Sequence, residues 1–339
     1  MDLPAVFGRY RGALEAEMKA VVGSSPLPLY QMLRYHLGWI DQEGKTVEGA
    51  GGKALRPTLC LLACESVGGD WRQALPAAAA LELLHNFSLI HDDIQDRSAL
   101  RRNRFTVWHL WGAPQAINAG DAMFALARLA LLRAQDLPPA KALRAGRLLD
   151  ETGLALCEGQ YMDMGYESRL DIGVDAYFQM VSRKTAALIA ASAEMGALLG
   201  CDDERSIGGL RLFGKELGHA FKVVDDLLGV WGQEEATGKS STSDIAQKKK
   251  SFPVVYALES APRRDKEELL ALYGKESLGV EDMGRVVALL GKLGARQQGQ
   301  KEAERYYRAA LGELEAGELL PSSVAELREL ATFVVQRDR

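Results

Sequence analysis

Apolar residues recur at helical spacing through most of this chain, and this periodicity restricts its fold more than any other feature. In one example, Leu83, Phe87, Ile90 and Ile94 are separated by four, three and four residues, so they share one face of a helix. Alternating β-branched stretches are almost absent, and alanine and leucine dominate. The pattern predicts an all-α fold: a single domain over residues 1–339, with helices packed around a central core or cavity and amphipathic helices over 263–339.

The composition excludes several classes of protein. Of 339 residues, 47% are hydrophobic and 26% charged, an ordinary globular balance. The net charge of −5 gives no basic bulk for nucleic acid. The most apolar run, residues 184–200, is too short and too interrupted for a transmembrane helix, and no signal-peptide pattern is evident. The four cysteines form no CxxC pair, so we read them as free thiols and expect a reduced, cytoplasmic protein.

One apolar helical stretch ends in three aspartates, in LIHDDIQD at residues 89–96. On a helix Asp92 and Asp96 stand one above the other, and Asp93 flanks them. The carboxyl end of a helix disfavours carboxylates because the helix dipole is negative there, so a compensating cation is needed unless the end simply frays into solvent. Oxygen ligands without histidine or cysteine favour Mg²⁺, which usually takes one or two carboxylates plus substrate phosphates.

The face that carries Asp92 and Asp96 continues backward along the helix through Ser88, His85 and Leu81. It therefore changes from acidic, through small and polar, to apolar. This gradient predicts a deep apolar pocket with a charged mouth.

A second acidic pair, Asp225 and Asp226, ends another apolar stretch in FKVVDDLLGVWG at residues 221–232. Two such sites on facing helices could hold metal ions around a diphosphate, which lowers the cost of breaking a carbon–oxygen bond. Each basic residue taken singly is ordinary solvated surface. Together they are candidate phosphate ligands: Lys53, Arg56, Arg101, Arg102, Lys184 and Lys239.

Eight stretches, in order along the chain, resemble the trans-isoprenyl diphosphate synthases, also called polyprenyl synthetases. They are GGKALRP (51–57), LELLHNFSLIHDDIQDRSALRR (81–102), NAGDAMFALA (118–127), EGQYMD (158–163), KTAALI (184–189), FKVVDDLLGVWG (221–232), TGK (237–239) and SDIAQKKKSFPVVYAL (243–258). The resemblance covers about residues 45–260, and within the family it is most like a geranylgeranyl diphosphate synthase. It implies the all-α isoprenoid synthase fold, a homodimer, and dependence on Mg²⁺, three ions per active site, with Mn²⁺ as a substitute.

The resemblance also implies roles for residues at matching motif positions. Asp92 and Asp96 would ligate Mg²⁺ with Asp93 in support, and Asp225 would ligate a third ion. Gln160 and Thr185 would lie near the reacting centre. The diphosphate ligands would be Lys53, Arg56, His85 and Arg102 for isopentenyl diphosphate, and Arg101, Lys184 and Lys239 for the allylic diphosphate, with Lys249 at a further basic position.

Two departures from the family pattern affect the second acidic motif. It reads DDLLG, so Gly229 replaces a final aspartate, and Lys222 stands where the family commonly has glutamine. Lys222 lies three residues before Asp225 and on the same helix face, so it could pair with Asp225 or touch diphosphate itself. We expect weaker metal binding or altered geometry at this motif, and retained activity.

Product length is predicted from the residues before the first motif. Four to five residues along a helix cover roughly 6–7.5 Å, which places Ser88 and Phe87 at the floor of a prenyl pocket. Ser88 leaves space and Phe87 could close it, although core packing alone would also explain Phe87. In the family, an aromatic residue followed by a small one at these positions commonly accompanies a C20 product. We therefore expect geranylgeranyl diphosphate, with farnesyl diphosphate as the alternative.

Two further readings stay open. A class I terpene cyclase also ionises an allylic diphosphate with Mg²⁺, but it does not need the isopentenyl diphosphate residues Lys53, Arg56, His85 and Arg102. A weakly active partner subunit of a true synthase is the second alternative, and Gly229 is its main support.

Overall fold

The computed structural model describes residues 4–47, 52–135, 137–232, 243–315 and 317–336, and within them it is a helical bundle. The helices are α1 (Ala5–Val22), α2 (Pro28–His36), α3 (Leu55–Ser66), a 3₁₀ turn (Trp71–Ala74), α4 (Leu75–Gln95), α5 (Val107–Trp111), α6 (Ala113–Leu131), α7 (Pro139–Glu167), α8 (Val174–Val181), a π-helical turn (Ser182–Ala186), α9 (Ala187–Gly200), α10 (Glu204–Trp231), α11 (Ser243–Ala246), α12 (Phe252–Ser260), α13 (Arg263–Tyr273), α14 (Val280–Lys292), α15 (Ala295–Glu313) and α16 (Pro321–Val335). The all-α prediction is confirmed.

Helix α4 lies in the main apolar core. Residues 77–81 are fully buried, and the helix packs against α3, α6, α7 and α9. It is enclosed because its first half is apolar on all sides rather than along one stripe. Leu83, Phe87 and Ile90 are buried and Ile94 is partly buried, as their spacing predicts. The last turn of this enclosed helix, which carries the aspartates, therefore lies at the edge of the core.

A two-residue hairpin follows α4. Strands β1 (Leu100–Arg101) and β2 (Arg104–Phe105) pair antiparallel, and they are the only paired strands in the described part of the chain. The turn residues Arg102 and Asn103 have φ of 52° and 59°. Positive φ at both central positions is the type I′ geometry that suits the twist of a hairpin. The turn brings Arg101 back toward the end of α4.

The C-terminal helices complete the bundle around α10. Helix α15 packs along α10, and α16 returns to pack on α3. Leu258, Leu269, Val286 and Leu290 belong to a second apolar cluster between α12, α13 and α14. Helices therefore continue through the described residues of the predicted 263–339 region. No helix in the described ranges has the length and apolar character needed to cross a bilayer.

Candidate active site

The first acidic motif sits at the carboxyl end of α4. Asp92 is in the last turn, and Asp96 caps the helix, with its N–H donating to the Asp92 carbonyl at 2.8 Å. Both side chains are partly exposed, at 22% and 14%, whereas Asp93 is buried at 2%. The helical register is retained to the cap, so Asp92 and Asp96 share the face that the sequence predicts.

Asp93 holds an arginine instead of facing the mouth of the site. Arg101 Nε donates to both carboxylate oxygens of Asp93, at 2.8 and 3.0 Å, and its Nη2 donates to Asp92 at 3.1 Å. Burial raises the pKa of Asp93 to about 6, and Arg101 opposes this shift. The hairpin and Asp93 together fix Arg101 beside Asp92. Asp93 therefore contacts the other motif carboxylate indirectly, through Arg101.

Lys184 reaches Asp92 from the π-helical turn. Its Nζ lies 3.3 Å from Asp92 Oδ1 and also bonds Asp163 of α7. The π-helical turn can lie close to α7 because residue 159 is glycine. A Cβ at this position would be 2.3 Å from the backbone nitrogen of Lys184. π-helical turns of this kind occur often at functional sites. Asp163 is an acidic residue of the site that the sequence motifs did not single out.

The two motif carboxylates differ in proton affinity. Burial raises the pKa of each, but for Asp92 the charges of Lys184 and Arg101 outweigh burial and the pKa is lowered. For Asp96, burial and the nearby Asp92 charge raise the pKa. Lys184 itself has a raised pKa, since Asp163 and Asp92 outweigh the effect of its burial.

This end of α4 fits Mg²⁺. Asp92 and Asp96 present two oxygen donors at a partly open position, which is the protein share of a typical Mg²⁺ site completed by phosphates. Among the described residues, no three acidic, histidine or cysteine side chains form a preformed metal cage. Arg101, Lys184 and Lys249 currently pair with the motif and would be available to anionic oxygens.

Gln160 and Thr185 are sequence neighbours of Gly159 and Lys184, where α7 meets the π-helical turn. Gln160 follows the glycine that contacts the π-helical turn, and Thr185 follows Lys184 and is 9% exposed. The Gln160 Nε2 group is buried and has no hydrogen-bond acceptor among the described residues. A buried amide donor without an acceptor is costly, so it calls for a ligand or water.

A separate cationic cluster lies on α3 and the hairpin turn. Arg56 Nη1 is 3.1 Å from His85 Nε2. Burial and the charges of Arg56 and Arg102 hold the pKa of His85 well below its usual value, so Nε2 accepts the bond from the guanidinium. The Arg102 guanidinium packs against Gly52, where a Cβ would lie 2.6 Å from Nη2, and the Lys53 ammonium lies 5.0 Å from the Phe333 ring centroid.

The second acidic motif lies in the last turns of α10 and contains its own cation. Lys222 Nζ is 2.6 Å from Asp226 Oδ1 and 3.7 Å from Asp225 Oδ2. The sequence suggested a pairing of Lys222 with Asp225, but the closer partner is Asp226, one helical turn away. Asp226 is 1% exposed, and its Oδ2 accepts from Tyr177 and from the Phe252 N–H, both at 2.7 Å.

The segment at residues 243–251 contacts both acidic motifs. The Asp244 carboxylate lies against Gly229, where a Cβ would be 2.1 Å from its Oδ2. Lys249 Nζ is 3.5 Å from Asp96 Oδ2, so it lies at the first acidic motif. The backbone joins these two residues, because the Lys249 N–H donates to the Asp244 carbonyl at 2.9 Å. Lys239 lies outside the described residues.

The predicted floor residue Phe87 has an aromatic partner on α6. The rings of Phe87 and Phe124 meet edge to face at 5.1 Å, and His91 packs on Phe87 at 5.0 Å. The Ser88 hydroxyl donates to the His85 carbonyl of its own helix at 2.7 Å. Phe124 was not identified from the sequence, although it falls within NAGDAMFALA.

Comparisons with known proteins identify the class. The sequence profile described as polyprenyl synthetase matches residues 38–290. The chain therefore belongs to the polyprenyl synthetase family and is a trans-prenyltransferase.

Curated relatives and solved structures extend this match over nearly the whole chain. A (2E,6E)-farnesyl diphosphate synthase of Mycobacterium tuberculosis is 40% identical over 90% of this chain and 85% of its own length. A geranylgeranyl diphosphate synthase of the same organism is 38% identical over 95% and 91%. The crystal structure of a polyprenyl synthetase from Streptomyces coelicolor superposes with a TM-score of 0.91 and 39% identity, covering 98% of this chain and all of that one.

Proposed function

We propose that this enzyme elongates an allylic diphosphate by condensing it with isopentenyl diphosphate, and that the main product is geranylgeranyl diphosphate. The observation that carries this proposal is the separation of two neighbouring arginines by the hairpin turn. Arg101 pairs with Asp92 and Asp93 at the first motif, while Arg102 packs on Gly52 beside Lys53. Two distinct cationic sites are what a reaction between two diphosphates requires.

The residues divide the chemistry between them. Lys184, Arg101 and Lys249, which now pair with the first motif, would bind the allylic diphosphate. Mg²⁺ bound through Asp92 and Asp96 would neutralise that diphosphate as its carbon–oxygen bond breaks, and Mn²⁺ would substitute. The resemblance implies a third ion at Asp225, but the Lys222 ammonium already lies 3.7 Å from this carboxylate.

The second substrate would occupy the cluster of Lys53, Arg56 and Arg102, with His85 fixing the guanidinium of Arg56. The double bond of isopentenyl diphosphate then attacks the allylic cation, and the released diphosphate takes the proton. Gln160 and Thr185 would lie beside the reacting carbons. The apolar walls below Asp92 would keep water from the cation.

Product length follows from the contact between Phe87 and Phe124. The small Ser88 side chain would leave room for a prenyl tail along α4, and the Phe87–Phe124 ring pair would close this path. We favour the C20 product because only one aromatic residue precedes the motif on α4. The second candidate is farnesyl diphosphate. It is favoured by the second ring, Phe124, and a relative of 40% identity carries that name.

The homodimer is also part of the proposal. Helix α7 exposes Leu143, Leu154 and Tyr161 at 76%, 61% and 81%, and the end of α6 exposes Leu129 and the C-cap residue Leu132 at 56% and 73%. Exposed apolar residues concentrated on two helices are typical of a protein interface. The three α7 residues are separated by eleven and seven positions, which keeps them on one helical face. A second copy of this chain would cover them.

The test is a product assay with Mg²⁺, isopentenyl diphosphate and each of the C5, C10 and C15 allylic diphosphates. We expect a C20 alcohol after dephosphorylation, lost in Asp92→Ala and retained in Asp202→Ala, whose carboxylate is 91% exposed and remote from the motif. A C15 end product would favour the farnesyl alternative. A hydrocarbon formed without isopentenyl diphosphate would indicate a cyclase, and inactivity with every starter would indicate a partner subunit.

A further inference from the structure

The second acidic motif is built around an ammonium group. Lys222 Nζ lies 2.6 Å from Asp226 and 3.7 Å from Asp225, within one turn of the same helix. The lysine ammonium lies between these two carboxylates, so the cluster contains its own cation.

Both oxygens of Asp226 face groups of the protein, although Oδ1, which is 2.6 Å from the Lys222 ammonium, accepts no well-directed hydrogen bond within the described residues. Its Oδ2 accepts from the Tyr177 hydroxyl and the Phe252 N–H, and Lys222 occupies its Oδ1 side. These partners come from α8, α12 and α10, so the carboxylate cannot swing away without breaking several contacts at once. An Asp226 fixed in this way is a counter-ion for Lys222.

The last position of the second motif, residue 229, offers no carboxylate either. Gly229 removes the final carboxylate of the motif, and the Asp244 side chain fills the space, with its Oδ2 2.1 Å from where a Cβ would be. Asp244 also acts electrostatically on Lys222. The carboxylates therefore surround the ammonium from two chain segments.

A metal ion at Asp225 would compete with this arrangement. Mg²⁺ binds carboxylate oxygen at about 2.1 Å, and Asp225 Oδ2 is only 3.7 Å from the ammonium. Two cations held in one cluster repel each other strongly when water is partly excluded. A Mg²⁺ ion at Asp225 would therefore lie close to the ammonium unless Lys222 moved away from the carboxylates.

We propose that the Lys222 ammonium replaces the third Mg²⁺ ion, the one that the family resemblance implies at Asp225. This enzyme would then bind its allylic diphosphate with two metal ions, both at the first acidic motif. The inference rests on the proposed function, because it concerns the same diphosphate site. It also explains how the chain dispenses with the carboxylate missing at Gly229: the positive charge is supplied covalently by the lysine.

The test counts metal ions without turnover. The full-length enzyme is dialysed to equilibrium against Mn²⁺ and dimethylallyl S-thiolodiphosphate, an analogue that resists ionisation, and bound Mn²⁺ and bound analogue are both measured. Wild type should retain two ions per bound analogue. Lys222→Gln should retain three, because the amide leaves the carboxylates free. Lys215→Gln, the same change at an exposed position two turns earlier in α10, should retain two.

The wild-type count decides the question even if Lys222→Gln fails to fold. Three ions in wild type would overturn the inference and leave the proposed function intact. Two ions in a folded Lys222→Gln variant would also overturn it, since the lysine would then not be what excludes the third. Failure to bind the analogue at any Mn²⁺ concentration would overturn both the inference and the proposed function.

Discussion

The carboxylate of Asp244 occupies the space where a side chain at Gly229 would begin, with its Oδ2 2.1 Å from an ideal Cβ position. The two residues lie on separate segments, α10 and α11. A side chain at residue 229 therefore requires the Asp244 carboxylate to move away. An aspartate placed there would displace Asp244 from its present position.

Substituting Gly229 should reverse the usual effect of alanine in a helix. Replacing a helical glycine by alanine normally stabilises by about 0.5–1 kcal/mol, whereas forcing an atom into filled space costs about 1–3 kcal/mol. We expect Gly229→Ala to lower the free energy of unfolding by roughly 1 kcal/mol. Gly208→Ala, on the same helix with open space around its Cβ, should raise it. Equal stabilisation of both variants in urea titrations would contradict the Asp244 contact.

The neighbouring arginines should affect different substrates. Arg101→Gln removes hydrogen bonds to Asp92 and Asp93 and a ligand of the allylic diphosphate, so its KM for that substrate should rise roughly tenfold to hundredfold. Arg102→Gln should produce a similar rise for isopentenyl diphosphate. Each variant serves as the control for the other. Steady-state kinetics in which both variants affected the same substrate would contradict the two-site assignment.

Gln160 should contribute to activity without contributing to stability. Its buried Nε2 has no acceptor in the part of the chain that the structure describes, so replacing the amide by a carboxylate or an apolar group breaks no hydrogen bond seen at that atom. We expect Gln160→Leu to lower kcat by roughly tenfold or more while Tm is unchanged or raised. A lower Tm with unchanged kcat would assign Gln160 to the structure alone.

Product length should respond in opposite directions at two adjacent positions. Phe87→Ala opens the contact with Phe124 and should shift products beyond C20, and Phe124→Ala should do the same. Ser88→Phe adds a second ring above Phe87 and should shorten the product to C15. Chromatography of the dephosphorylated products measures both shifts. An unchanged product in Phe87→Ala would show that the residue only packs the core.

His219 gives the fold a defined response to acid. It lies 4% exposed beside Ser182 and Tyr306, and burial lowers its pKa to about 4. The unfolded chain, with a histidine pKa near 6.5, binds the proton more readily, so stability is fully present above about pH 6.5 and is lost as the pH falls toward 4, by up to ~3 kcal/mol. His219→Gln should flatten this part of the unfolding free energy curve, and His109→Gln at an exposed site should not. Parallel curves for wild type and His219→Gln would contradict this.

Residues placed by helical spacing could be predicted from the sequence. The Leu83–Ile90 stripe and the shared face of Asp92 and Asp96 follow from the helical period, because no distant part of the chain decides them. The turn at Arg102 could not, since nothing in ALRRNRF carries the glycine that positive φ usually requires. Asp163, Asp244 and Phe124 enter the site from other helices, and only the tertiary packing reveals which atoms they meet.

The short segment at residues 243–251 holds Gly229 with one residue and Asp96 with another, five positions apart. One short segment therefore contacts both acidic motifs, although more than a hundred residues separate the motifs in the sequence. Substitutions in one motif should be epistatic with substitutions in the other. Anyone who exchanges motifs between relatives of this enzyme will need to move the segment with them, since it sets the register between the two halves of the site.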